Sequence, residues 1–412
     1  MRIGLLMHEL LVEGGGERQC VSLAQALARR GHQVVMYTNA YDRLNCFPET
    51  CKDFTVRDIG RGLFSWLRKP LFLRAYLDMW HCSKVIKNQH EIWNPHHWPA
   101  QWGGLWLKRK LGGTVVWMCN DVPDFRPKAL HPQSIRGTLM APLYWLYYFY
   151  DRRQNAKIDL TLFLSNWAKE QYLANYPGRT KVVRSGMDPT RFAPGGNRSR
   201  IRSRFGYSNE DFVLLWLGIM MPHRRLEDAI RAISLLQRSG ATVRLMLAGS
   251  NRSFPNYASS LKTLVHELEI EDLVTFTGKV AEDEVQDFYS ACDAFVFPNE
   301  QQTWGLAVME AMSSGRLALV SRGAAVHEVF TDGEDAVLFS PRDPKDIAVK
   351  VKMLLQDPQL REEIVARGMR KVRENYTWDR FAEQVEDACQ EALRCEIPVA
   401  VASAPIGSRP PV

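Results

Sequence analysis

The sequence lacks an apolar run long enough to cross a bilayer. Its two longest runs, residues 140–150 and 212–221, are about half of the roughly 20 residues that a spanning helix needs. The start, MRIGLLMHEL, has one basic residue and a short apolar run followed directly by charge, without a signal peptide's cleavage region. We interpret it as the first buried strand and expect a cytoplasmic protein.

Cysteine pairs and metal-ligand spacings are also missing. The eight cysteines have no repeated spacing, and neither Cys46 with Cys51 nor Cys389 with Cys395 forms a CxxC pair. Free thiols in a reducing compartment are the expected state. No histidine and cysteine cluster has a recognisable zinc spacing, so we expect no metal site and no obligatory cofactor.

Positive charge is concentrated in the first half of the chain. Residues 1–185 hold 26 Lys plus Arg against 14 Asp plus Glu, a net charge of +12, whereas the remainder has 27 against 32. In residues 60–87 basic residues alternate with aromatics and leucines, which is typical of a segment that lies on an anionic membrane surface. An ordinary helix with one buried face explains the segment equally well. No nucleic-acid-binding signature accompanies the charge, so we expect no nucleic-acid partner.

Short apolar strands alternate with amphipathic helices along nearly the whole chain, and two of the predicted strands are residues 33–38 and 317–321. This alternation predicts parallel sheets with helices on both faces, in two Rossmann-like, doubly wound domains. A cluster of Gly, Pro and Ser at 185–199 indicates the linker. The predicted units are an amino-terminal domain (1–190), a second domain (191–377), a terminal helix (378–394) and a disordered tail (395–412).

A glycine-rich loop follows the first strand, which raises the possibility of a nicotinamide-dependent oxidoreductase. The loop is not GxGxxG, because Gly14 and Gly16 are followed by Gln19, and the second strand ends in YTN without a ribose-binding acid. This reading is therefore disfavoured. Glycines at a helix start still let backbone amides approach a phosphate or sugar, although a tight turn alone would need them too.

Five segments together resemble the GT4 family of GT-B glycosyltransferases. They are GGGER (14–18), RSGMDPTRFAP (184–194), LGIMMPHRRLEDAI (217–230), FTGKVAEDEVQDFYSACDAFVFPN (276–299) and EQQTWGLAVMEAMSSG (300–315). The resemblance implies two Rossmann-like domains facing a central cleft, a terminal helix returning to the first domain, and retaining transfer from a nucleotide-diphosphate sugar as co-substrate. Residues 8–50 are particularly similar to Alg2-like mannosyltransferases, which implies GDP-mannose as donor and a lipid-linked or other membrane-associated glycan as acceptor.

A departing nucleotide diphosphate needs either a metal ion or fixed cations and amide dipoles to stabilise its charge. No clear DxD pair ends a strand, whereas Arg224 and Arg225 open a helix after an apolar strand. We predict Arg224 as the phosphate clamp. The family's usual arginine earlier in this loop is Ile219 here, so Arg225 could supply the missing charge.

Further donor-binding residues are assigned by the resemblance. A carboxylate in an apolar helix is costly to bury without a partner, which favours a functional role for Glu310. The resemblance implies that it holds the ribose hydroxyls. Glu328 could cap or brace the site, or be an ordinary exposed acid. The remaining assigned positions supply glycine turns, helix-start amides and base contacts: Gly15, Gly16, Gly278, Val280, Thr303, Trp304, Gly305 and Leu306.

Two positions depart from the family pattern. Gln302 stands where the family has a second glutamate that touches the donor sugar, and Asn120 stands where it has a histidine. With Glu310 these are the predicted catalytic positions, and Glu17, His96 and His97 are candidates for orienting the acceptor or sugar. Because an asparagine cannot shuttle a proton at neutral pH, a nucleotide-sugar-binding scaffold without turnover remains an alternative function, as does a GT4 enzyme that uses a UDP-sugar.

Overall fold

The computed structural model describes residues 1–11, 14–62, 71–121 and 135–394. These residues form two sheets, one of seven and one of six strands, and every strand pairing within them is parallel. The central strands are buried along almost their whole length, as expected when helices cover both faces of a parallel sheet.

The first domain contains the seven-stranded sheet, in the order β3-β2-β1-β4-β5-β6-β7. Its strands are β1 (Arg2–Leu6), β2 (Gln33–Thr38), β3 (Thr55–Asp58), β4 (Ile92–Pro95), β5 (Thr114–Met118), β6 (Leu160–Phe163) and β7 (Thr180–Val182). Its helices are α1 (Gly15–Arg29), α2 (Leu71–Val85), α3 (Ala100–Leu111), α4 (Ile135–Asn155) and α5 (Asn166–Leu173), with a 3₁₀ turn at Thr50–Asp53.

The second domain contains the six-stranded sheet, in the order β10-β9-β8-β11-β12-β13. Its strands are β8 (Phe212–Leu217), β9 (Val243–Ala248), β10 (Val274–Gly278), β11 (Ala294–Phe297), β12 (Leu317–Ser321) and β13 (Val337–Phe339). Its helices are α6 (Arg198–Arg204), α7 (Leu226–Arg238), α8 (Pro255–Glu267), α9 (Val285–Ala291), α10 (Leu306–Ser313), α11 (Pro344–Gln356) and α12 (Pro358–Asn375). Three 3₁₀ turns lie at Pro222–Arg224, Glu271–Leu273 and Ala325–Val329.

The direction of strand addition reverses once in each sheet. In the first domain the reversal lies between β1 and β4, and in the second between β8 and β11. Loops on either side of such a reversal diverge to opposite faces and leave a crevice at the carboxyl ends of the strands, where open α/β sheets bind ligands. The topology therefore predicts a site at each reversal.

The last described helix, α13 (Trp378–Arg394), returns to the first domain and packs on α1. Glu386 accepts a hydrogen bond from Arg30 Nε at 2.7 Å, and Glu391 accepts one from Lys181 Nζ at 2.8 Å. Gly186, at the crossing between domains, lies so close to the backbone of Thr377 that a Cβ there would clash. The predicted return of the terminal helix is confirmed.

The two-domain GT-B fold expected from the sequence is likewise confirmed, and β2 and β12 have the predicted bounds. Part of the predicted membrane-binding segment, residues 63–70, and the predicted tail, 395–412, lie outside the described residues. Among the helices that the structure describes, none is long and apolar enough to cross a membrane.

Candidate active site

The two sheet reversals face each other across the boundary between the domains. Thr303, after β11, donates its hydroxyl to the backbone oxygen of Asn120, after β5, at 2.7 Å. Gly15, at the start of α1, lies next to Leu306, since a Cβ built on the glycine would be 3.7 Å from Leu306 Cδ1. Arg18 and Glu282 form an ion pair across the same boundary. Gly15, Asn120, Thr303 and Leu306 thus meet at one boundary between the domains.

Arg224 is a half-buried cation with no acidic partner. Burial lowers the pKa of its guanidinium to about 10, an effect that the charge of Asp121 partly offsets. Its Nη1 donates to Oε1 of Gln302, and its Nε is buried without a hydrogen-bond partner. No carboxylate in the described parts of the chain lies within ion-pair distance of this group. A desolvated cation in this state favours an anionic ligand.

Arg225, unlike Arg224, has acidic partners. Its guanidinium lies 2.8 Å from Glu227 and 2.9 Å from Asp228, both on α7. Burial opposes the charge, but these acids outweigh it and raise the pKa of Arg225. The charge of Arg225 is therefore already matched within its own helix, and the structure gives it no position comparable to that of Arg224.

Gln302, in the loop after β11, accepts the hydrogen bond from Arg224. The fully buried Asn299 contacts Oε1 of Gln302 at 2.6 Å, and with its amide turned over its oxygen also accepts from Arg224 Nη1 at 2.7 Å. Two neutral amides therefore surround the guanidinium where a glutamate at position 302 would place a full negative charge. The departure from the family pattern leaves the charge of Arg224 available to a ligand.

Two helix starts without side-chain caps border the cleft. The N-cap residues Gly14 of α1 and Gly305 of α10 make no side-chain cap hydrogen bond. The first amides of each helix, including those of Gly15, Gly16 and Leu306, therefore lack the partners that a helix interior would give them. Free amides at a helix start are suited to bind phosphate or carboxylate oxygens.

Glu310 lies inside α10 and is 9% exposed. Tyr289, on α9, donates its hydroxyl to Glu310 Oε2 at 2.9 Å. Burial raises the pKa of Glu310, and the charge of Arg18 and the Tyr289 hydrogen bond limit the rise. One carboxylate oxygen is thus fixed by the protein, and Oε1 remains to accept from hydroxyl groups.

His97 stands at the carboxyl end of β4 with a left-handed backbone, φ 61°. Its Nε2 is 3.5 Å from the Asn120 amide nitrogen, and its Nδ1 is 3.6 Å from Asp121 Oδ2. Burial opposes the charge, but the nearby carboxylates of Asp121 and Glu17 outweigh it and raise the pKa of His97. A side chain at Gly16 would overlap the His97 ring. An imidazole therefore stands beside Asn120, where the family's histidine is missing.

His96 does not belong to this group. Its Nε2 lies 2.9 Å from Asn94 Oδ1, and its ring is fully buried. Burial lowers its pKa to about 3, so the ring is neutral. The structure therefore separates the two neighbouring histidines into a core residue, His96, and a cleft residue, His97.

Backbone strain occurs at three positions of the cleft. Among the described residues, six that are not glycine have positive φ, and His97, Arg225 and Gln301 are three of them. Such conformations cost about 1 to 3 kcal/mol each and persist where the surrounding structure requires them. These three positions follow β4, β8 and β11, which are strands at the sheet reversals.

Three other residues that were predicted to bind the donor take part mainly in packing or backbone contacts. The Trp304 ring is 4% exposed and packs under Arg184, 5.6 Å from its centroid, so its side chain belongs to the packing at the domain junction. Gly278, with φ 76°, ends β10 and accepts at its carbonyl from the Gly249 amide. Val280 follows it and packs partly on the core.

Glu17 and Glu328 have different neighbours. Glu17 lies in the first turn of α1, close enough to Gly14 that a Cβ there would meet its carboxylate. Glu328, in the second domain, accepts from the backbone amides of Asn166 and Trp167 at 2.8 and 2.7 Å. It therefore caps α5 of the first domain, and it also pairs with Arg184 at 3.1 Å.

One group in the described residues has side chains of the metal-binding kind. The ligand atoms of His8, Glu9 and Asp78 lie within 4.8 Å of one another. Arg74 pairs with both acids, and Arg61 pairs with Glu9 at 3.0 Å. The acids are thus already neutralised by arginines. The expectation of no metal requirement stays a prediction.

Several site residues were not predicted from the sequence. They are Arg18, Asp121, Tyr289 and Asn299. Arg18, Tyr289 and Asn299 lie inside the segments that resemble the family, and Asp121 follows Asn120 directly, so their locations could have been noted. Their pairings could not, because each partner is brought in by another element.

Two domains of this architecture, facing each other across such a cleft, define the GT-B class of transferases. Two family models match consecutive parts of the chain: "Glycosyltransferase Family 4" covers residues 13–191, and "Glycosyl transferases group 1" covers residues 197–371. The chain is therefore a group 1 glycosyltransferase of family 4.

Curated relatives match over nearly the whole chain at low identity. The mannosylfructose-phosphate synthase of Agrobacterium fabrum is 24% identical over 400 residues, 90% of this chain and 85% of that protein. A D-inositol 3-phosphate glycosyltransferase of Thermomonospora curvata is 25% identical over 392 residues, 89% of this chain and 88% of that protein.

Solved structures show the same fold. A sucrose-phosphate synthase from Thermosynechococcus elongatus superimposes with a TM-score of 0.77 at 19% identity, covering 95% of this chain and 98% of its own. HepE from Anabaena, in complex with UDP-glucose, superimposes with a TM-score of 0.73 at 17% identity, covering 95% of this chain and 100% of its own.

Proposed function

We propose that the protein transfers a hexose, with retention at the anomeric carbon, from a nucleotide-diphosphate sugar bound in the cleft between the domains. The observation that carries the proposal is Arg224, a half-buried guanidinium with only neutral amides as hydrogen-bonding partners among the described residues. Bound diphosphate supplies the missing negative charge. The charge that develops on the leaving group is met by fixed cations and dipoles, so no metal is required.

The other site residues have complementary roles in this proposal. The amides that open α1 and α10 bind phosphate oxygens. Glu310 accepts from the ribose hydroxyls with the oxygen that Tyr289 leaves free. Asn120, His97 and Gln302 surround the hexose and orient its hydroxyls.

The chemical step requires no protein base. The acceptor hydroxyl oxygen attacks the anomeric carbon on the face from which the diphosphate departs, and the anomeric carbon–oxygen bond to phosphate breaks. The leaving phosphate oxygen takes the acceptor's proton, and the products are the glycoside and the nucleoside diphosphate. Retention follows, and an asparagine at position 120 is compatible with turnover.

For the donor we propose GDP-mannose, and for the acceptor a lipid-linked or other glycan at the cytoplasmic face of a membrane, with the protein peripherally bound there. The support is the similarity of residues 8–50 to Alg2-like enzymes and the excess of basic residues in the first domain. The name of the Agrobacterium relative also contains a mannosyl group. A UDP-sugar is the competing donor, because HepE was solved with UDP-glucose.

A thermal-shift panel of GDP-, UDP-, dTDP- and ADP-sugars tests the donor. A ligand at 100 times its dissociation constant stabilises the folded state by about 2.7 kcal/mol. We expect GDP-mannose to raise the melting temperature more than UDP-glucose does. A larger shift with UDP-glucose or UDP-GlcNAc would overturn the donor assignment.

A transfer assay separates the enzyme from a binding scaffold. Radiolabelled sugar from the donor selected by the panel is incubated with the protein and a membrane extract, and the lipid-extractable label is counted. An enzyme transfers label in proportion to time and protein. Donor binding without transfer would favour the scaffold function.

A further inference from the structure

An exposed apolar stripe runs along α4 in the first domain. The structure has thirteen exposed large hydrophobic residues in its described part, and four of them fall within six positions of this helix. They are Trp145 (41% exposed), Leu146 (67%), Phe149 (60%) and Tyr150 (46%). The others are scattered over both domains. A concentration of this kind marks an interaction surface.

The stripe continues into positive charge on the same helix face. Residues 142, 145, 146, 149, 152 and 153 follow the three- and four-residue spacing of one face, and all six are exposed. The last two are Arg152 and Arg153. Trp145 and Phe149 stack, with ring centroids 5.6 Å apart. The helix thus presents aromatic rings followed by two guanidinium groups.

The opposite face of α4 is fixed in the domain. Asp151 accepts from Trp102 Nε1 at 2.7 Å, Gln154 accepts from Arg109 at 2.8 Å, and Tyr148 donates to the Asn175 carbonyl at 2.9 Å. Of the stripe residues, Tyr150 also packs on Trp102, with ring centroids 5.2 Å apart, so Phe149, Arg152 and Arg153 are the positions chosen for substitution. Substitutions on the stripe should therefore leave the fold intact.

A shallow groove of about 480 Å³ adjoins the stripe. Its walls include Leu146, Phe149, Tyr150, Arg152, Arg153 and Pro177. Apolar walls beside paired guanidinium groups match an acyl chain beside a phosphate headgroup. Trp and Tyr are also the residues that favour the boundary between lipid and water.

We propose that this face of α4 docks on the surface of an anionic phospholipid bilayer. The aromatic rings enter the boundary between headgroups and acyl chains, and Arg152 and Arg153 bind lipid phosphates. The net charge of +12 on residues 1–185 adds long-range attraction. The function proposed above supplies the reason for docking, and the surface itself is inferred from α4 alone.

A second copy of the chain fits the stripe less well. At about 200 Å² per aromatic side chain, the three exposed rings present roughly 300 Å². A stable protein interface buries about 800 Å² on each partner. Interfacial helices on membranes need no such area, because lipid surrounds each inserted side chain and charge supplies the rest.

The stripe lies in the carboxyl half of α4. A helix between two parallel strands runs against their direction, so the amino end of α4 lies at the edge of the sheet where β4 and β5 end, near His97 and Asn120. Residues 145–153 begin ten positions further along the helix, roughly 15 Å from that edge at 1.5 Å per residue. The docking surface is therefore separate from the donor cleft.

Vesicle sedimentation of the full chain tests the proposal. The vesicles are phosphatidylcholine alone or mixed equally with phosphatidylglycerol, at low salt and at 1 M salt, where the Debye length is about 3 Å. We expect binding to the mixed vesicles, weaker binding to phosphatidylcholine, and release by salt. Arg152→Glu with Arg153→Glu should reduce binding roughly tenfold or more, and Phe149→Ser roughly tenfold.

Matched controls lie on the second domain. Arg231→Glu with Arg370→Glu makes the same change in net charge, and Val349→Ser removes another exposed apolar side chain. Both should bind as the wild type does, and thermal melts should show all variants folded. Absent or salt-insensitive binding of the wild type, or equal losses in the controls, would overturn the proposal.

Light scattering tests whether a second copy of the chain, rather than lipid, covers the stripe. If the wild type is a dimer in solution and Phe149→Ser makes it monomeric, a second copy covers the stripe and the proposal is wrong. Donor binding is measured separately by thermal shift, so a failure of the donor assignment leaves the vesicle result unaffected, and the reverse also holds.

Discussion

At the scale of single residues, the two adjacent arginines show how similar side chains acquire different chemistry. Arg224 has a neutral amide as partner and a pKa lowered to about 10, whereas Arg225 is bound by Glu227 and Asp228. Their adjacent positions in the sequence do not predict which arginine is paired with acids. Because Arg225 has a left-handed backbone conformation, the two side chains point in different directions.

Substitution of Arg224 should therefore affect donor binding far more than substitution of Arg225. Arg224→Ala removes the desolvated partner of the diphosphate and should cost roughly 2 to 5 kcal/mol of binding free energy. Arg225→Ala should lower stability and leave donor affinity nearly unchanged. Calorimetric titration with nucleoside diphosphate checks both, and equal losses in the two variants would refute the assignment.

Asp151 is a buried acid, and its burial disfavours the charged form. Burial raises its pKa to about 7, although Trp102 and Asn155 donate hydrogen bonds to it. Between pH 4 and pH 7 the folded protein therefore holds a proton that the unfolded chain has released. Stability consequently falls as pH rises through this window, by at most about 1.4 kcal/mol for each pH unit.

Asp151→Asn should remove this pH dependence. We expect the variant to gain stability relative to the wild type at pH 8 and to gain much less at pH 5. Urea unfolding at both values measures the difference. Asp159→Asn is the contrasting control, because Asp159 pairs with Lys108 at 2.6 Å and its loss should destabilise at pH 8. A difference between Asp151→Asn and wild type that is the same at both pH values would contradict the prediction.

At the scale of elements, the structure uses contacts between domains to complete local structure. Helix α5 has its own cap, because Ser165 accepts from the Ala168 amide, but its first two amides are bound by Glu328 of the other domain. An anionic side chain at a helix start is favourable because of the helix dipole. Glu328 thus joins a turn of the second domain to a helix of the first.

Glu328→Gln should weaken this contact between the two domains. It keeps the size of the side chain but removes the charge that pairs with Arg184 and α5, so we expect a loss of roughly 1 to 2 kcal/mol in the free energy of unfolding. The amides of Asn166 and Trp167 should exchange hydrogen faster. Glu334→Gln, an exposed acid nearby, is the control. Unchanged exchange at both amides would show that Glu328 does not hold the helix.

At the scale of the whole molecule, function depends on two sheets whose reversals face each other. Each sheet alone offers half of a site: amides of α1 and His97 on one side, Arg224, Gln302 and α10 on the other. The α13 helix fixes this arrangement by crossing back to α1, with Phe381 and Val385 fully buried.

The sequence by itself determined the elements and their class. Local apolar periodicity and glycine or proline stops depend on neighbours within a few residues, so β2 and β12 were predicted with their observed bounds. The same local patterns placed Arg224 after a strand and Glu310 inside an apolar helix.

Only the tertiary structure decided which of these residues act together. It separated Arg224 from Arg225 and His97 from His96, and it made Glu328 a cap for a helix more than 150 positions away in the chain. It also showed that Trp145, Leu146, Phe149 and Tyr150, which the sequence presents only as part of an apolar run, are exposed together on α4. The physical reason is that burial, charge pairing and exposure depend on contacts between distant elements, which a pattern of neighbouring residues does not contain.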